Sequence, residues 1–390
     1  MNRPTIGEPT SPNRTLMGPG PSEVSPRVLR AQVTPLVGHL DPAFLDVMDD
    51  VQDLLRYVFR TDNEWTFAVL GTGSAAMEAA LANTIRPDDT VLVPTNGYFG
   101  GRMAEMVRRA GGDPLTVDAP WGAAIDPADV ESAFSRREID VFAFVHAETS
   151  TGTLQPDVPD LTEVAHANDA LVIADTVTSL GGVEFRMDDW EVDIAYSASQ
   201  KCLSAPPGMS PITVSERARE RIESRDRPSR SWYVDLSLLA EYWGDERTYH
   251  HTAPISTTYA LREALRIAAE EGIEARWERH SHVAGALRDG LEAMGFSLVS
   301  ERWLPSLNAV YVPEGVNASD VTARLLAEHD IEVAGGLGDL SGDVLRIGCM
   351  GHSARPANVL SLLAALGEVS DSLGTDVDAD GALAAAREAL

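Results

Sequence analysis

Asp193-Ile194-Ala195-Tyr196-Ser197-Ala198-Ser199-Gln200-Lys201 reads as a short apolar strand that runs out into a lysine. Lys201 is the single lysine of the chain; of 31 Lys and Arg residues, the remaining 30 are Arg. Arg stays protonated in a protein, whereas a buried Lys can lose its proton and act as an amine nucleophile. A guanidinium cannot form a Schiff base. The plain alternative is a chance survivor of an Arg-biased composition, and the neighbourhood argues against it. Upstream, Ala170-Leu171-Val172-Ile173-Ala174-Asp175 is a second apolar run, and it ends in a carboxylate. In an open α/β sheet, ligands sit beyond the carboxyl ends of the strands.

Working outward, strands and helices alternate. Residues 65–70 form a strand that enters Gly71-Thr72-Gly73-Ser74 and then a helix over 75–83. Glycines and hydroxyls at a helix start offer backbone N–H groups to an anion. Ala76 stands where a dinucleotide fingerprint needs its third glycine, so this is not that fingerprint. Further strands fall at 90–94, 114–117, 141–146 and 210–214, with a helix holding Met103, Met106 and Val107 and another at 161–167. The continuous apolar run 141–146 suits a buried parallel strand. It leads into the polar loop Glu148-Thr149-Ser150-Thr151-Gly152. The expected fold is α/β, with a large domain over 16–270 built on a mostly parallel sheet. Helical spacing covers 39–57 and, as one pattern, 259–294. A smaller α+β domain is expected over 271–373, with strands at 307–312, 332–334 and 344–348 and helices at 318–329 and 358–370. Residues 1–15 read as an N-terminal arm and 374–390 as an acidic, Ala-rich tail.

A strand-end carboxylate followed by a strand-end lysine is what pyridoxal phosphate (PLP) requires. The lysine condenses with the aldehyde, and Asp175 keeps the pyridine nitrogen protonated so that the ring accepts electrons. The Gly71-Thr72-Gly73-Ser74 turn then becomes the expected phosphate site. Arg346 lies between Leu345 and Ile347, and a buried unpaired charge is costly. It either pairs with an internal acid or grips a substrate carboxylate through two hydrogen bonds; the site favours the second. His250 and His251 suggest a metal, but adjacent side chains are expected to diverge and no third ligand is near, so no metal is assigned. Cys202 and Cys349 form no zinc spacing and no disulfide framework, which suits a reducing cytoplasm. With 60 acids the net charge is −29, which argues against nucleic acid and anionic membrane as partners. The same balance, with Lys nearly absent, suits a protein of a salt-rich cell.

Gly18-Pro19-Gly20-Pro21, Gly38-His39, Gly71-Thr72-Gly73-Ser74-Ala75-Ala76-Met77-Glu78 and Glu148-Thr149-Ser150-Thr151-Gly152 carry a resemblance. It continues through Asp175, Ser199-Gln200-Lys201, Pro206-Pro207-Gly208, Tyr249-His250-His251-Thr252 and Val344-Leu345-Arg346-Ile347-Gly348. From Leu16 to Leu373 the chain resembles the class V, fold-type I PLP aminotransferases, above all their alanine–glyoxylate and serine–pyruvate branch. The resemblance implies that Lys201 holds PLP and Asp175 its ring nitrogen. It implies that Thr72, Gly73, Ser74 and Gln200 bind the phosphate, that Ser150 lies beside the ring, and that Arg346 takes the α-carboxylate near the Gly20 loop. Tyr249 and Thr252 would reach the phosphate of a partner subunit, making the active unit a homodimer. Phe99 stands where some relatives stack a Trp on the ring, and Ser74 where some carry His. The implied reaction moves an amino group from a small donor, alanine or serine, to glyoxylate or pyruvate. The scaffold equally supports ureidoglycine–glyoxylate, aminoethylphosphonate–pyruvate and aspartate transamination. Cysteine desulfuration would need Cys349 on a mobile loop. A PLP-binding regulator without turnover and an α/β protein without cofactor are the readings from other classes.

Overall fold

The computed structural model describes residues 6–8 and 10–390; the other residues of the expected N-terminal arm lie outside the described residues. A seven-stranded sheet runs in the order Trp65–Gly71, Gly208–Val214, Ile194–Tyr196, Leu171–Asp175, Val141–Val145, Thr90–Thr95, Asp113–Asp118. Only Gly208–Val214 is antiparallel to its neighbours; the remaining pairings are parallel. The central strands are buried along their whole length, as their unbroken apolar runs demand. Val145, Asp175 and Tyr196 lie in one row across adjacent strands. All three therefore reach the same carboxyl edge of the sheet.

The helix Gly73–Thr84 packs on this sheet through Ala76, Ala79 and Ala80, which have little side chain to hold it away. Thr72 caps it by its backbone and not its side chain, and no acid occupies its first turn. Its N-terminal N–H groups thus stay available at the carboxyl edge. The helix Tyr98–Ala110 starts at the next loop along. There Gly97 is required by crowding: a Cβ would lie 2.4 Å from Cγ of Glu148 and 2.6 Å from Oγ of Ser150.

The helical pattern over 259–294 is two helices, Ile255–Glu271 and Ile273–Ala293. Gly272 separates them at φ +86°, a conformation that glycine adopts without strain, and its N–H closes the first helix on Ala268 and Ala269. The apolar period continues across the break, so periodicity alone joined them. The strand expected at 332–334 is also two pieces. Ile331–Glu332 pairs with Thr15–Leu16, and Ala334–Gly335 pairs with Val344–Gly348. Val333 turns the corner between them, buried against the second core. That core gathers Met17, Leu287, Leu345, Ile347 and Leu363 around a four-stranded sheet. The acidic, Ala-rich C-terminal stretch contains the helix Ala379–Ala389, with Ala382 and Ala386 buried in the same core. A short helix at Pro26–Gln32 had no counterpart in the sequence reading.

Candidate active site

The carboxyl edge of the large sheet opens into a cavity lined by Thr72, Gly73, Ser74, Phe99, Asp175, Gln200 and Lys201. Four separate segments thus bring together the lysine, the carboxylate, the glycine turn and the ring platform expected from sequence. Lys201 donates through Nζ to the carbonyl of Pro19. Burial lowers its amine to a pKa of about 8; Cys202 and Asp175 act against the shift and Arg346 adds to it. At pH 7 about a tenth is therefore a nucleophilic amine, far more than for an ordinary lysine. Gly20, at φ +119°, closes over this side chain; a Cβ there would lie 2.9 Å from Lys201 Nζ.

Asp175 accepts from Val177 N at 2.9 Å and from the Tyr196 hydroxyl at 3.1 Å. Burial raises its carboxyl to about 7, those two hydrogen bonds oppose the rise, Glu148 adds to it, and Lys201 opposes it. A cation placed against it would restore the carboxylate. Tyr196 follows from register: it lies directly across from Asp175 on the neighbouring strand.

Glu148 is fully buried and receives Ser150 N at 2.9 Å, Ser150 Oγ at 2.6 Å, Phe99 N at 3.1 Å and Gly100 N at 3.3 Å. It thereby fixes the start of the Tyr98–Ala110 helix and the Phe99 ring; burial pushes its carboxyl upward against those bonds. Ser150 also receives Tyr98 N at 2.9 Å, so its hydroxyl is engaged away from the cavity, and Thr149 is the residue of that loop that lines it. Arg346 is 7% exposed, donates Nε to Gly335 O at 2.8 Å, and has no carboxylate partner among the described residues. Burial lowers its pKa, and Glu148 opposes that. Tyr249 and Thr252 lie outside the cavity, on the surface, with Tyr249 59% exposed and its ring against His39. The expectation that His250 and His251 diverge is not met: their Nδ1 atoms lie 2.7 Å apart, because the loop turns both rings inward among Trp232, Tyr233 and Tyr242. No cluster of three metal-ligating side chains occurs among the described residues.

Whether PLP fits can be judged from this chain alone. Gln200 Oε1 is buried without a hydrogen-bond partner. The helix start beside it carries an uncapped first turn. At Gly73 a Cβ would approach Val177 at 2.8 Å and Ala198 at 3.3 Å, so the turn is pressed against the cavity wall. An amine, a buried carboxylate, an open helix terminus and an aromatic ring meet in one place. These residues fit the cofactor.

A family model described as Aminotransferase class-V matches residues 27–344. The chain belongs to that family. It is similar to ureidoglycine–glyoxylate aminotransferase of Bacillus subtilis, whose crystal structure superposes with a TM-score of 0.96 at 42% identity, covering 98% of this chain and 99% of that one. The crystal structure of an alanine–glyoxylate aminotransferase of Nostoc sp. gives 0.91 at 48% identity, covering 94% and 97%. An alanine–glyoxylate aminotransferase of Drosophila melanogaster is 39% identical over 94% of this chain and 95% of its own. The protein is thus a class V aminotransferase of the fold-type I PLP architecture, with pyridoxal phosphate as its cofactor. Arg102, Glu148 and Tyr196 carry parts of the site to which the sequence reading gave no role. Arg102 follows Phe99 by three residues on one helix and so shares its face, which was the available signal.

Proposed function

We propose that the enzyme transfers the amino group of a small monocarboxylic amino acid, alanine or serine, to glyoxylate or pyruvate. The observation that carries this reading is Arg346, a buried guanidinium with no acid to balance it among the described residues, whose charge bears on Lys201. One fork suits one α-carboxylate. A second carboxylate on the donor would be buried without an evident partner, at a cost of several kcal/mol. All three relatives reported above are named for glyoxylate, which supports it as the acceptor. The Bacillus subtilis relative also favours a second reading, ureidoglycine as donor.

In this reading the bound cofactor supplies an electron sink that makes the donor's α-proton removable. Lys201 Nζ takes that proton and returns it, and its depressed pKa of about 8 suits a base working near neutrality. Asp175 holds a proton on the ring nitrogen, with Tyr196 and Val177 N orienting the carboxylate. Phe99 covers one ring face, and Glu148 keeps it there. Thr72, Gly73, Ser74 and Gln200 hold the phosphate. Gly20 approaches Lys201 closely enough to shape the carboxylate end. Ser150, expected beside the ring, would act indirectly, by holding the Glu148 carboxylate that fixes the Phe99 backbone. Tyr249 and Thr252 would complete the site of a second copy. The exposed apolar residues Val33, Leu36 and Trp232 support such a homodimer, being 80%, 65% and 61% exposed. We assign residues 16–270 to a large domain and 271–373 to a small one. The cytoplasm of a salt-rich cell remains our reading of its setting.

Desulfuration fits less well. Cys349 is fully buried in the second core, and burial pushes its thiol up to about 12. Comparing kcat/KM for alanine, serine, ureidoglycine, aspartate and glutamate with glyoxylate tests the proposal. Alanine or serine should lead; a lead for ureidoglycine selects the second reading, and a lead for aspartate rejects the single-arginine site. Arg346→Lys should weaken all donors alike, by about tenfold or more, because the fork is lost and the charge kept.

A further inference from the structure

Arg102 lies on the Tyr98–Ala110 helix, at the junction between the cofactor cavity and a larger groove beside it. Its Nη1 donates to Ser74 Oγ at 3.0 Å, and its guanidinium carbon stands 4.8 Å from the centre of the Phe99 ring and 5.2 Å from that of Tyr98. Among the described residues no carboxylate neutralises it, although acids outnumber bases almost two to one. The arginines that follow it on the same helix, Arg108 and Arg109, both pair with Glu105. Arg102 alone is turned toward the cavity.

We propose that Arg102 is a cofactor-binding residue that supplies the positive charge for the phosphate dianion. The inference rests on the PLP reading above and deepens it. Hydroxyls, an amide and a helix terminus supply donors at the glycine turn but no formal charge. Lys201 cannot supply it, since its amine condenses with the aldehyde. Arg102 already touches the hydroxyl at the start of the Gly73–Thr84 helix, where the anion would rest. Its planar fork suits phosphate oxygens, and charge-assisted hydrogen bonds are the stronger kind. The ring contacts hold the guanidinium beside Phe99, at the edge of the cavity. The other role open to Arg102 is binding a second carboxylate of a dicarboxylic donor; the contact with Ser74, at the helix start, favours the phosphate.

The test compares PLP with pyridoxal, which has the same ring and aldehyde and no phosphate. Full-length apoprotein is titrated with each by absorbance. Arg102→Gln should weaken PLP by about tenfold or more and pyridoxal by less than about twofold, and Arg102→Lys should recover part of the loss. Retained pyridoxal binding shows that the variant is folded. Equal weakening of both ligands, or of neither, overturns the proposal. So does an Arg102→Gln variant with unchanged PLP affinity and a selective loss of kcat/KM for aspartate and glutamate. If the variant does not fold, the wild-type apoprotein decides: phenylglyoxal should modify Arg102, and PLP or inorganic phosphate, but not pyridoxal, should protect it. Unprotected modification overturns the proposal. A wild-type chain that takes up no PLP at Lys201 breaks the underlying reading instead.

Discussion

Two buried arginines show how this chain treats charge in two different ways. Arg276 is 3% exposed and fully engaged: Nη1 reaches Glu271 at 2.6 Å, Nη2 the Cys202 carbonyl at 2.6 Å, and Nε the Gly181 carbonyl at 3.1 Å. Arg279 shares the same glutamate and bonds the carbonyls of Gly351 and Ala354. Arg346, almost as buried, has one hydrogen bond and no counter-ion among the described residues. The first cluster holds parts of the molecule together and is satisfied by the protein. The second bears on the charge of Lys201, which burial also disfavours, and in the proposed reading a substrate carboxylate would balance it. The two regions adjoin along the chain, since Arg276 anchors the carbonyl of the residue after Lys201.

The largest expected effect breaks the edge chemically. Lys201→Arg keeps the charge and should reduce turnover by about a thousandfold or more, since a guanidinium neither condenses with the aldehyde nor gives up a proton. Borohydride reduction followed by peptide mapping should locate a pyridoxyl adduct on Lys201 in the wild type and none in the variant. An adduct elsewhere would remove Lys201 from its role. Next comes the satisfied cluster. Arg276→Ala should lower unfolding stability by about 3 kcal/mol, because it strips a buried pair and two carbonyl bonds. Urea denaturation measures this; a change within 0.5 kcal/mol, on the scale of about a surface substitution, would erase the contrast drawn above.

Asp175→Asn sharpens the comparison from the other side. Turnover should fall by about a hundredfold, as the ring nitrogen loses its counter-charge. The apoprotein should become more stable at pH 8, by up to about 4 kcal/mol. The sign follows from the raised pKa of about 7. The unfolded carboxyl ionises near its ordinary value, so the folded state loses stability as pH rises from there to about 7, and Asn removes that loss. Equal melting temperatures at pH 8 would contradict it. The smallest effect is kinetic. Only neutral Lys201 reacts with the aldehyde, so the rate of PLP loading into apoprotein should rise about tenfold per pH unit below 8 and level off above it. A flat rate between pH 6 and 8 would mean the amine is not the titrating group.

Much of this site could be read without coordinates, for a physical reason. Asp175 and Gly71 end strands, and Lys201 follows in the loop after Ile194–Tyr196, a strand shorter than the run expected to end at the lysine; a parallel sheet carries its strand ends to one edge. Strand ends far apart in the sequence thus predicted neighbours in space. Arg102, Glu148 and Tyr196 escaped because their roles arise where separate loops converge. Glu148 matters because it meets the first N–H groups of another helix, which no spacing within its own loop announces. The inward pairing of His250 and His251 depends on rings supplied by Trp232 and Tyr242, some distance away in sequence. The break at Gly272 was visible as a glycine, but the apolar stripe on either side kept its phase.

Residues 15–22 thread through both halves of the molecule. Thr15–Leu16 pairs with Ile331–Glu332, and Met17 is buried in the second core while its carbonyl receives Gly348 N at 2.7 Å. Pro19 then receives Lys201, and Ser22 donates to the carbonyls of Gln200 and Lys201. This short run is a drawstring between the smaller core and the reactive amine. The backbone beside the Arg346 strand and the carbonyl against which Lys201 rests are thereby held by a single piece of chain.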